Sequence, residues 1–132
     1  MITITTVPAA AASAVTQRLA VRIGVGLNKP YCVGSVEPVG NVSFGVGRVR
    51  VVDGVAIATI TARGTVVFQP SGSCKGGEVK PFAEHFTVAF VATGTNTITV
   101  AAGDDVVGDP YNVRCCKAYG YAMNTTITVS IA

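Results

Sequence analysis

Leu19-Ala20-Val21-Arg22-Ile23-Gly24-Val25-Gly26-Leu27 carries a large apolar side chain at every second position, with small or charged residues between. A strand turns successive side chains to opposite faces. A period of two over nine residues therefore predicts a half-buried β-strand, with Leu19, Val21, Ile23, Val25 and Leu27 inward. Arg18 and Arg22 then share its outward face. The turn chemistry of Asn28-Lys29-Pro30 is expected to end it.

The same alternation recurs on both sides. Residues 2–7 read as a first strand, and residues 8–14 as a small-residue link with room for one helical turn. Residues 31–36 read as a short edge strand stopped by Pro38. Val42, Phe44 and Val46 alternate, but Val49 and Val51 continue one residue late, and this shift at Gly47 marks a β-bulge. Asp53-Gly54 between two apolar runs predicts a type I′ hairpin. Its return strand runs to Phe68 with a break expected at Arg63-Gly64, before a loop over residues 69–80. Glu84, Phe86, Val88, Phe90 and Ala92 alternate with His85, Thr87, Ala89 and Val91. After a turn at 93–96, residues 97–101 are expected to pair back as a second hairpin. An acidic loop at 103–110, a weaker strand region at 111–121 and a last strand at 125–131 complete the chain.

The composition agrees. The chain has 23 Val, 15 Thr and 8 Ile against 2 Leu, a β-branched excess suited to a pleated surface. Eight or nine strands without a helix predict an all-β, single-domain antiparallel β-sandwich over residues 1–132, jelly-roll or immunoglobulin-like, with a barrel as the second choice. At 49% hydrophobic and 13% charged, the chain is no disordered segment. No apolar run is long enough to cross a bilayer as a helix, so no membrane partner is expected.

The net charge of +3 falls short of a nucleic-acid footprint, and no aromatic residues interleave the arginines to stack bases. The chain starts at Met1 without the charged start and apolar core of a secretory signal, so cytoplasmic synthesis without secretion is expected, and the sequons at Asn41 and Asn124 carry no meaning there. The four cysteines, Cys32, Cys74, Cys115 and Cys116, are then expected as free thiols. They lack the spaced pairs of a zinc site. Cys115 and Cys116 are adjacent, and read as strand residues one of them faces the core.

Four sets of residues are candidates for chemistry. His85, the single histidine, falls on an outer face, and Ser71 and Ser73 lack a nucleophile elbow, so no catalytic residue is assigned. Asp104, Asp105 and Asp109 suit Ca²⁺ in their ligand type but lack EF-hand spacing, and a solvated turn explains them; no metal or cofactor is assigned. Arg18, Arg22, Arg48 and Arg50 are the candidate interface, read together as a basic strip. Tyr111 and Tyr119, with Asp104 and Asp105, form the candidate ligand rim of an alternative reading.

With its richness in Thr, Val, Ala and Gly, its all-β patterning and the lack of a signal segment, the whole chain resembles in composition the small all-β accessory proteins of tailed bacteriophage virions. The resemblance implies a non-enzymatic structural protein, such as a head-decoration, head-fibre or tail accessory subunit, located in the virion. Its expected partners are copies of itself and other shell subunits. The mean hydropathy of +0.51 points the same way, since apolar surface beyond what 132 residues can bury marks an interface. The alternative is a β-sandwich that binds carbohydrate or a host surface ligand at its rim.

Overall fold

The computed structural model describes residues 2–8, 16–34, 37–70 and 78–132. Eight strands form: β1 (Ile2–Pro8), β2 (Thr16–Cys32), β3 (Val39–Val52), β4 (Val55–Phe68), β5 (Glu78–Val91), β6 (Ile98–Ala102), β7 (Val107–Arg114) and β8 (Lys117–Ile131). All pairings are antiparallel. One sheet runs β1-β2-β8, and β6 and β7 follow one another along the free side of β8. The other is the meander β3-β4-β5. Eight strands thus fill seven lanes, four facing three, in an open β-sandwich. The order is not that of the immunoglobulin sandwich, and a meander is not the paired Greek keys of a jelly roll.

The core forms where the inward faces meet. Leu19, Val21, Ile23, Val25 and Leu27 of β2 are all buried, as their alternation requires. Ile127, Val129 and Ile131 of β8 join them, and Ala56, Ala58, Ile60, Ala62 and Val66 of β4 close the core from the other sheet. The Asp53-Gly54 turn has both φ angles positive, at 50° and 77°, as a type I′ turn demands. The bulge also stands: the β3–β4 register slips between Val46 and Val49.

Elsewhere the local reading needs correction. Asn28-Lys29-Pro30 does not end β2. The strand bulges there, running from Gly26 opposite Gly120 to Tyr31 opposite Ala118, so the expected edge strand at 31–36 is replaced by Tyr31 and Cys32 continuing β2. Arg63-Gly64 does not break β4. A Cβ at Gly64 would strike the Asn41 carbonyl and the Phe82 ring, so glycine there permits close packing. The strand 84–92 begins earlier, at Glu78. Residues 97–101 do not pair back on β5. They cross to the other sheet and pair with β8, held by the Thr97 and Ala132 backbones (Ala132 N to Thr97 O, 2.9 Å). Only 103–106 of the acidic stretch is loop. β7 begins at Val107 and tolerates Pro110 because it is an edge strand. Cys115 and Cys116 are not strand residues. Both have positive φ, at 51° and 65°, and both are exposed at the tip of the β7–β8 hairpin, so neither faces the core. Cys74, Ser71, Ser73 and most of the 8–14 link lie outside the described residues.

Candidate interaction surfaces

The outer face of the four-lane sheet carries Arg18 and Arg22 on β2. Each meets an acid from the β6–β7 edge. Arg18 Nη2 lies 3.5 Å from Asp104 Oδ2, and Arg22 Nη1 lies 3.1 Å from Asp109 Oδ2 and 3.1 Å from Asn124 Oδ1. Asp104 is itself fixed. Its backbone N–H donates to Thr126 Oγ1 (3.0 Å), the Thr126 hydroxyl donates to its carboxylate (2.9 Å), and the Thr125 hydroxyl donates to its carbonyl (2.7 Å). Half of the arginine set, Arg18 and Arg22, is therefore partnered by two members of the acidic stretch, Asp104 and Asp109. Asp105 is exposed beside them. Among the described residues no group of three or more His, Cys, Asp or Glu is placed to hold a metal ion.

Arg48 and Arg50 lie on the other sheet. They border a shallow depression of about 290 Å³ with Ile57, Thr59 and Thr87 on its outer face. The two arginine pairs thus stand on opposite faces of the sandwich and do not make one strip. Sequence parity placed each pair correctly on its strand but could not say which sheet each strand joins. Arg63 lines a second depression of about 310 Å³ on the same face, with Ser43, Gly45 and Thr61. Among the described residues no carboxylate is ion-paired to Arg48, Arg50 or Arg63. His85 is also on this face, its Nδ1 3.0 Å from Thr61 Oγ1. Its neighbour Glu84 points to the opposite face, and among the described residues no carboxylate is bonded to the ring.

The same face exposes two cross-strand rows of valine. Val39, Val67 and Val79 stand level at one end, and Val52, Val55 and Val91 at the other. Val39 and Val91 are the most exposed, at 69% and 64%. Of the six, the sequence alternation sets only Val91 outward, beside His85, and assigns the other five to no face. The available signal was their parity, since each is out of phase with the buried residues of its strand.

The candidate rim does not converge. Tyr111 pairs with Gly120, and its ring occupies the space a Cβ at Gly120 would need. Burial raises its hydroxyl pKa, partly offset by the Arg22 charge. Tyr119 is one residue along β8 from Gly120 and so projects to the other face. Asp104 sits at the level of Thr126, six residues from Gly120 and about 20 Å away along a strand. The structure therefore leaves Tyr111 and Asp104 far apart on the outer face of the four-lane sheet, with Tyr119 turned to the other face.

A cleft of about 300 Å³ opens between the sheets where β3 faces the β6–β7 edge, lined by Val42, Phe44, Val100, Ala102 and Val106 with Asp104 and Thr125 at its polar end. No family model, no curated protein and no solved structure matches the chain.

Proposed function

We propose that the chain is a non-enzymatic structural subunit that docks through the outer face of its three-stranded sheet onto neighbouring copies or other proteins of an assembly. One observation carries this reading: two rows of exposed valine flank arginines that have no carboxylate partner in the described structure. Valine gains from burial, and an unpaired arginine is suited to hold a neighbour's carboxylate. Covering six half-exposed valines is worth roughly 5 kcal/mol, about the lower estimate of what association itself costs. Such a face binds weakly alone and firmly when an array engages several contacts at once. With the compositional resemblance to small all-β virion accessory proteins, this supports a head-decoration, head-fibre or tail accessory role. Light scattering after size exclusion tests it. A discrete mass several times 13.4 kDa is expected, and a monomer at all concentrations would count against self-assembly.

A further inference from the structure

The two edges of the three-stranded sheet are protected unequally. In β5, the register and the Ala92 N to Gly54 O bond (2.8 Å) turn the backbone groups of odd-numbered residues away from β4. That edge is blunted: Pro81 offers no donor, and the Gln17 side chain caps the Ala89 carbonyl at 2.7 Å. In β3, the Val52–Val55 hairpin pair sets the opposite phase. The backbone groups of Gly40, Val42, Phe44 and Val46 therefore point outward, and among the described residues no strand lies beside them. Residues 39–47 contain no charge and no proline. Behind this edge lies the apolar cleft lined by Val42, Phe44, Val100 and Val106. Natural sheets seldom leave such an edge uncovered.

We infer that β3 pairs with β3 of a second copy, antiparallel about a two-fold axis at Ser43, joining two three-stranded sheets into one of six strands. The inference deepens the assembly reading by naming a contact and a partner, and it rests on that reading. The edge is self-complementary. Centring on Ser43 sets Gly40 opposite Val46 and Val42 opposite Phe44, and all four residues have outward backbone groups, so each pair can exchange two hydrogen bonds. The limits match as well: Pro38 closes the stretch on one side and the bulge before Val49 on the other, at similar distances from Ser43. Charge agrees, because antiparallel pairing brings Glu37 of each copy to the Arg48 end of the other. The alternating Val42 and Phe44 side chains of the second copy extend the apolar lining of the cleft.

A register-specific cross-link tests this. Ser43 is exposed and its own backbone bonds to β4, so Ser43→Cys leaves the fold intact. The two-fold sets residue 43 against itself in a non-hydrogen-bonded pair, with Cα atoms about 4.5 Å apart, within disulfide range. In a background with Cys115→Ser and Cys116→Ser, mild oxidation is expected to convert most of the protein to a dimer whose peptide map shows a 43–43 link. Arg63→Cys, on the central strand of the same face, is expected to give none. Val42→Pro removes an outward donor that bonds nothing among the described residues and is expected to halve the solution mass. A parent protein that is monomeric at tens of micromolar overturns both the inference and self-assembly. A multimer without a 43–43 link, unchanged in mass by Val42→Pro, overturns the β3 contact alone and returns assembly to the valine-lined face.

Discussion

The Tyr31 hydroxyl lies in the core without a hydrogen-bond partner among the described residues, its ring 6.5 Å from that of Phe68. Burial, with the nearby Glu37 charge second, pushes its pKa from 10.0 up to about 12. A buried donor without a partner lowers stability, so Tyr31→Phe is expected to leave stability unchanged or raise it by about 1 kcal/mol, measured by urea unfolding at pH 7. The pH effect has a definite sign. Because the folded state holds this proton more tightly than the unfolded state, stability is complete below pH 10 and falls between pH 10 and 12 as the unfolded chain ionises first. Tyr111 and Tyr121 are raised by burial as well and add to the fall. Urea midpoints at pH 8 and 11 should therefore separate in the parent protein and separate less in Tyr31→Phe. Gly120 depends on packing instead. A methyl there would displace the Tyr111 ring, so Gly120→Ala is expected to cost about 1–3 kcal/mol in the same assay.

Hairpins show how far an element can be read before its structure is known. Asp53-Gly54 was legible because the left-handed conformation at both turn positions selects those residue types. Cys115-Cys116 adopts the same conformation with residues that do not prefer it, and only its pairing, Arg114 opposite Lys117, reveals the turn. Left-handed backbone costs an ordinary residue roughly 1–2 kcal/mol. Cys115→Asn with Cys116→Gly is therefore expected to raise stability by at least about 1 kcal/mol, and an unchanged urea midpoint would show that the cysteines carry no such strain. The β3 bulge was legible as a phase slip in the valines. The crossing of residues 97–101 was not, because a turn that reverses a strand and one that changes sheets use the same Thr, Gly and Asn. Here a backbone pair between Thr97 and Ala132, far apart in sequence, decides the outcome. The Arg18–Asp104 and Arg22–Asp109 pairs were hidden for the same reason: residues more than 80 positions apart meet only after β7 has joined β8.

At the scale of the molecule, the sandwich has one inward and one outward side on each sheet, and the three-stranded sheet leaves its outward side apolar at both ends. Adjacent residues on β4 put this to the test. Val66 is fully buried and Val67 is 42% exposed. Threonine keeps the shape and β-branching of valine and changes only its polarity. Val66→Thr places a hydroxyl in the core and is expected to cost about 1–3 kcal/mol, lowering the melting temperature by roughly 5–10 °C. Val67→Thr, alone or with Val39→Thr and Val79→Thr, removes no core contact, and the melting temperature should stay within a few degrees. If the outward valines serve only as strand formers, the triple variant will also match the parent in solution mass. If they serve a contact, its mass will fall while its melting temperature holds. Only a surface covered in the working assembly separates those two measurements, because a residue needed for the fold alone must move the melting temperature first.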